Sequence, residues 1–338
     1  MKLFGKDLDH DVAIVAEIGV NHEGDVEAAS KLLRLAANAG VDAVKFQSYS
    51  PERYASASDP ERLERVARFA LDQSEHGRLA AEAKDLNVAF FSTPLSEDWV
   101  PFLSELCPAI KIASGDLTFE PVVRAAAKVG KPVILSTGLG TIEEIDQAVR
   151  WIAEEAGERT LADRLVLMQC VSAYPTPIEE TNVRTVPFLA ERYGVPVGYS
   201  NHAIGIDACI AAIALGAQVI EAHFTDQSSG RSFRDHELSL EPSDMEMLVR
   251  LAPRIRASLG KAGKTRAQSE LQALAATRKG VVAARDLAEG TVLKREDLAF
   301  ARPASEFAAS EISKLVDASL TTSLKQGELV PRWGVNIG

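Results

Sequence analysis

A chain of 338 residues, 46% hydrophobic and 25% charged, has room for one large domain and a small one and the composition of a globular protein. A formal charge of −11 with no basic run argues against a nucleic-acid surface, so an anionic substrate has to rely on local lysines and arginines. No signal peptide or apolar run of membrane length is visible, and Cys107, Cys170 and Cys209, odd in number and in apolar surroundings, read as reduced core thiols of a cytoplasmic protein.

Taken in chain order, strand-like runs rich in Val, Ile and Phe occur at 12–19, 42–47, 88–93, 109–114, 132–137, 164–170, 196–201 and 218–224. Between them lie stretches in which Ala, Leu and charged residues recur with helical spacing. This alternation predicts parallel strands joined by crossover helices, and eight such units predict an α/β fold, a (β/α)8 TIM barrel over residues 1–260. The last unit closes on a helical pattern at 243–260. Residues 261–277, polar and Ala-rich, read as a linker with room for partial helix. From 278 to 338 short β-like runs are split by turns such as Glu289-Gly290, which predicts a small, mostly β module that leans on a partner surface.

In such barrels catalytic groups gather where strands end and loops begin. Those positions here hold Glu17, Asn21, His22, Lys45, Gln47, Ser92, Lys111, Ser114, Ser136, Ser172, Tyr174, Ser200, His202 and His223. His202 and His223 end consecutive strands around one helical segment, so their imidazoles are expected to converge as a metal site does. Lys45 and Lys111 lie inside apolar runs, where an unpaired ammonium is costly. Two of them on one rim, with serines beside them, suit a phosphorylated ligand; the plainer reading makes them ion-pair partners of strand-end carboxylates. Tyr174 before Pro175 is either a site residue or a packing residue at a rigid turn. His22 is either a substrate contact or a loop turn ahead of a helix. STGLGT (136–141) lacks a dinucleotide fingerprint and reads as an amide-rich phosphate pocket at a helix start.

The strings AEIGVNHEG (16–24), VKFQ (44–47), FFSTP (90–94), IKIASGD (110–116), VILSTG (133–138), SAYPTP (172–177), YSNHAIG (199–205), IEAHFT (220–225) and DHELSLEP (235–242) stand in order at predicted strand ends. Together they resemble the sialic acid synthase family, and the last module resembles an antifreeze-type (SAF) domain. The resemblance implies condensation of phosphoenolpyruvate with an N-acyl amino hexose and loss of phosphate by C–O cleavage. It implies metal ligation by His202 and His223, with Mn2+ or Mg2+, and phosphoenolpyruvate held by Lys45, Lys111, Ser114, Ser136 and Ser200. Glu17 and Gln47 fall at the reacting centre, with Ser172 beside the substrate. Tyr174 and Asp235 fall on the sugar side, and Arg302 comes from the terminal module, contributed across a domain-swapped homodimer.

Departures from the pattern fall on the sugar side: Ala222 where the family usually has lysine, Ala304 and Glu306 after Arg302-Pro303 where it usually has glycines, Ser172 where some members have Asn, and the loop 225–237. They imply a changed sugar pocket, for N-acetylmannosamine or for a di-N-acylated 6-deoxy hexose. Two other classes stay open: a Schiff-base aldolase or lyase using Lys111 or Lys45, and a non-catalytic sugar-binding paralogue.

Overall fold

Eight short strands, buried along nearly their whole length, form the centre of the larger unit: β1 (Ala13–Gly19), β2 (Ala43–Ser48), β3 (Ala89–Pro94), β4 (Ile110–Ile112), β5 (Val133–Ser136), β6 (Leu165–Gln169), β7 (Val197–Asn201) and β8 (Val219–His223). The computed structural model describes residues 1–155 and 160–337. All ladders are parallel, in the order β3-β2-β1-β8-β7-β6-β5-β4, and β4 packs beside β3 to close the ring. Burial on both faces explains why these runs are nearly continuous in Val, Ile, Leu and Phe rather than alternating with polar residues.

The crossover helices are α1 (Val26–Asn38), α2 (Gln73–Asp85), α3 (Val100–Leu106), α4 (Glu120–Lys128), α5 (Ile142–Glu155), α6 (Thr185–Tyr193), α7 (Asp207–Ala214) and α8 (Pro242–Leu259). Their apolar stripes cover the outside of the ring: α1 buries Ala29, Leu32, Leu33 and Ala36, which is one face of a 3.6-residue repeat. Local chemistry starts them. Asp25 caps α1 by accepting from the amides of Glu27 and Ala28, and Asp72 with Glu75 forms a capping box on α2. No described helix is long and apolar enough to cross a membrane.

The chain divides into two compact units, Met1–Gly260 and Lys261–Gly338. The second opens with two short helices, Gln268–Leu271 and Leu274–Thr277, inside the segment expected as a linker. It continues with antiparallel pairs β9 (Gly280–Ala283) with β10 (Leu298–Ala301) and β11 (Ser319–Leu320) with β12 (Val335–Asn336). It has its own core, in which Val281, Leu293, Leu298, Phe307, Leu315 and Val330 pack together.

Candidate active site

Strand register brings the chemistry together. In parallel alignment His223 stands opposite Glu17, Glu17 opposite Lys45, and Glu221 opposite Ser200. Because side chains alternate along a strand, Glu221 and His223 share a face, as do Lys45 and Gln47. Lys45 Nζ lies 3.2 Å from Glu17 Oε2 and 3.2 Å from Glu221 Oε1, and donates to Thr93 Oγ1 at 3.3 Å. Lys111 Nζ donates to Ser136 Oγ at 2.6 Å and stands 3.7 Å from Glu221 Oε1, which also accepts from Ser200 Oγ at 3.1 Å. Gln47 Nε2 donates to Glu17 Oε1 at 3.3 Å. Two ammonium groups and two carboxylates thus form one buried cluster, each 6% exposed or less. Glu17 Oε2 is close to Lys45 but receives no well-aligned hydrogen bond, so this carboxyl is the loosest member of the cluster.

The cluster splits its two carboxyls. Burial pushes Glu17 up to about 7, against the pull of Lys45 and with a further push from Glu221. Burial also disfavours the charged form of Glu221, but Lys111 and Lys45 outweigh it and hold this carboxyl below the usual range. Lys111 is lowered by burial, only partly offset by Glu221, whereas in Lys45 the attraction of Glu17 and Glu221 exceeds the burial cost. A Glu17 that keeps its proton part of the time near neutral pH makes the cluster less negative than two free carboxylates would, which suits an arriving anion.

His202 and His223 face each other with ring centroids 5.3 Å apart, and Tyr174 stacks on His202 at 4.2 Å and edges against His223 at 5.8 Å. His202 Nδ1 is bonded to the carbonyl of Val171 at 2.6 Å, which puts the proton there and leaves the Nε2 lone pair free. His223 Nδ1 is buried without a partner. Burial holds both rings below their usual range, His202 at about 4, so both are neutral and able to ligate. Among the described residues no group of three or more His, Cys, Asp or Glu side chains gathers for a metal. The donor set fits an ion bound by two imidazoles with several positions left to solvent and substrate.

Ser114, Ser172 and Cys170 converge on Gly138: a Cβ there would meet their side-chain heteroatoms at 2.8, 2.6 and 2.9 Å. Only a residue without a side chain lets the loop approach so closely. Beside them a cleft of about 580 Å³ is lined by Thr137–Thr141, Cys170, Ser172 and Ala173, next to the charged cluster but not over it. The expectation of an amide-rich phosphate pocket needs correction. The amides of Thr137, Gly138, Gly140 and Thr141 are engaged with Met168 O, Ser114 Oγ, Thr137 O and Glu144 Oε2. An incoming anion would meet the hydroxyls of Ser114, Ser136 and Ser172 and the Lys111 ammonium instead. His22 accepts from the Gly24 amide at 3.0 Å within its own loop. Asp235 is buried at the start of the short helix Asp235–Leu238, and Arg302 follows β10 in the second unit.

The NeuB family profile matches residues 32–264, and the SAF domain profile matches residues 278–331. The chain belongs to the NeuB family. It is 35% identical over 331 residues to the N,N'-diacetyllegionaminic acid synthase of Campylobacter jejuni, covering 94% of this chain and 98% of that one. The N,N'-diacetyllegionaminic acid synthase of Legionella pneumophila is 34% identical, over 93% of this chain and 92% of its own. Among solved structures, N-acetylneuraminic acid synthetase from Leptospira borgpetersenii in complex with citrate superimposes with a TM-score of 0.73 at 33% identity, covering 78% of this chain and 90% of that one. Membership of the NeuB family makes this protein an enzyme, a synthase.

Strand-end reasoning missed one member of the cluster. Glu221 sits inside the apolar run VIEAH, where a carboxylate needs a buried cation, and it lies two residues before His223 on the same strand face. Those two facts were the available signal.

Proposed function

We propose that this NeuB-family protein is a nonulosonic acid synthase, condensing phosphoenolpyruvate with an N-acyl amino hexose and releasing inorganic phosphate by C–O cleavage. The observation that carries the reading is the buried meeting of Lys45, Lys111, Glu17 and Glu221 next to two neutral, converging imidazoles. Lys111 with Ser114, Ser136 and Ser172 would take the phosphate, and Lys45 and Ser200 the remaining charge of the enol ester. His202 and His223 would hold a divalent ion, Mn2+ or Mg2+, which when bound supplies Lewis-acid polarisation of the sugar aldehyde.

The new bond forms between C3 of phosphoenolpyruvate and the aldehyde carbon. Water adds at C2, and the tetrahedral species collapses as the C2–O bond to phosphate breaks. One proton must reach the aldehyde oxygen and one must leave the water. Glu17, raised to about 7, exists in both forms near neutrality and can carry a proton at its carboxylate oxygen, while Gln47 holds Oε1 in place. Tyr174 and Asp235 would face the sugar, and in a domain-swapped homodimer Arg302 of the partner subunit would reach its acyl group. The relatives named for N,N'-diacetyllegionaminic acid support a di-N-acetylated 6-deoxy hexose as acceptor, with N-acetylmannosamine the second choice.

The test is phosphate release from phosphoenolpyruvate across a panel of amino sugars, with and without chelator. Sugar-dependent release that chelation stops and Mn2+ or Mg2+ restores is expected. Release that survives removal of the metal, or that no amino sugar stimulates, overturns the reading. The lowered Lys111 also suits a Schiff-base nucleophile. Borohydride trapping of a substrate on Lys111 would favour that aldolase chemistry.

A further inference from the structure

Asn21 and Ser239, which the proposed reaction does not use, link the β1 and β8 ends to Asp235 by a continuous hydrogen-bonded chain. Asn21 is 4% exposed; its Nδ2 donates to the carbonyl of Phe224 at 2.9 Å and to Ser239 Oγ at 2.9 Å. Ser239 Oγ donates in turn to the carbonyl of Asp235 at 2.6 Å. On the far side His236, 1% exposed, shares a hydrogen with Thr225 Oγ1 at 2.7 Å, and its Nε2 lies 3.3 Å from Glu23 Oε1. Asp235–Leu238 is a single helical turn, too short to hold its own geometry. These side-chain struts therefore fix the backbone from which the Asp235 carboxylate projects. That carboxylate is buried, and its Oδ1, although 3.3 Å from Arg234 Nε, lacks a well-aligned partner. A buried acceptor in that state is one that a ligand hydroxyl or amide would complete.

We propose that Asn21, acting through Ser239, is a positioning residue that aims the Asp235 carboxylate at the acceptor sugar and so sets affinity for the sugar rather than for phosphoenolpyruvate. This rests on the reading of Asp235 as a sugar-side residue. The chain of bonds also couples two loops: the β1 end that carries Glu17 and the β8 end that carries His223 share one side-chain amide. A sugar gripped by Asp235 is then held in fixed register with Glu17.

The experiment is initial-rate kinetics on the full-length enzyme with its divalent ion, varying phosphoenolpyruvate and the best-used amino sugar in turn. Wild type is compared with Asn21→Ala, Ser239→Ala, the double variant and Asp235→Asn, and folding is followed by thermal melting. Ser239→Ala leaves the Asn21–Phe224 bond in place, so it carries the test if Asn21→Ala fails to fold. Loss of one buried hydrogen bond predicts that each single variant raises the sugar KM about 3- to 10-fold with the phosphoenolpyruvate KM changed by less than about 2-fold. The double variant should be no worse than the worse single one, because both act through one chain. Parallel rises in both KM values, or additive effects, overturn the proposal and assign Asn21 to loop structure. An Asp235→Asn defect in sugar KM with both alanine variants unchanged overturns the positioning role alone. An Asp235→Asn variant with unchanged sugar KM shows that the sugar-side reading itself is wrong, and the proposal falls with it.

Discussion

Lys45 is the residue on which the buried cluster turns, since it is the only lysine within 3.2 Å of both Glu17 and Glu221 among the described residues. Lys45→Met leaves two carboxylates side by side with no near cation on Glu17, and breaking a buried pair in this way costs about 3–5 kcal/mol. Lys111→Met leaves Glu221 still paired with Lys45. Denaturant unfolding is expected to show the larger loss for Lys45→Met, while both variants raise the KM for phosphoenolpyruvate; equal losses would mean that the cluster is not shared as described. Glu17 supplies a pH prediction. Its carboxyl, raised from the ordinary 4.5 to about 7, keeps in the folded protein a proton that the unfolded chain has already released. Stability of the metal-free enzyme should therefore fall as pH rises from about 4.5 to about 7, and Glu17→Gln should flatten that slope. Glu221, lowered in the folded state, contributes the opposite way, with stability lost as pH falls below the ordinary carboxylate range. A wild-type slope that Glu17→Gln leaves unchanged would remove Glu17 as its source.

At the scale of elements, the loop from β5 to α5 is where backbone decides function. Gly138 lets the loop sit against Ser114, Ser172 and Cys170, and its amide donates to Ser114 Oγ at 3.0 Å. A methyl group there must displace at least one of these side chains, because real Cβ contacts do not come under about 3 Å. Gly138→Ala is expected to raise the phosphoenolpyruvate KM at least about tenfold with a melting temperature within a few degrees of wild type. An unchanged KM would separate this loop from phosphate binding. The histidines depend on elements in the same way. Val171, just past β6, fixes the His202 tautomer through its carbonyl, and β7 and β8 set the distance between the rings through their register. His202→Ala or His223→Ala is expected to weaken divalent-ion binding, read by calorimetry on the apoenzyme, while the circular dichroism of the barrel is kept.

At the scale of the whole molecule, two cores mean two separable units. The barrel core draws on all eight strands, and the second unit packs around Val281, Leu298, Phe307 and Val330 without them. Truncation after residue 276 should leave a folded barrel that still binds phosphoenolpyruvate and metal. If the second unit serves a partner's site, the truncated enzyme should become monomeric by sedimentation and lose affinity for the sugar, and Arg302→Ala should reproduce the affinity loss in an intact dimer. Unchanged sugar kinetics in the truncated enzyme would free the second unit from catalysis.

The eight strands and their crossover helices were legible in the chain itself, because burial on both strand faces and on one helix face writes a local pattern of period and composition. The same locality made Lys45, Lys111, His202 and His223 stand out, the lysines as charges inside apolar runs and the histidines as polar residues at the ends of theirs. Glu221 also interrupts an apolar run, but that signal does not name its partners, which are non-local. It becomes the common counter-ion of two lysines only when β8, β2 and β4 face one another across the ring. The fate of the Thr137, Gly138, Gly140 and Thr141 amides was equally hidden, since they are taken up by Met168 on β6, Ser114 just past β4, the Thr137 carbonyl and a helix-start glutamate. Sequence by itself determined which residues can carry charge, ligate or turn. Tertiary structure alone decided which of those charges share a low-dielectric space, and that sharing separates Glu17 from Glu221 in proton affinity although the two are the same amino acid.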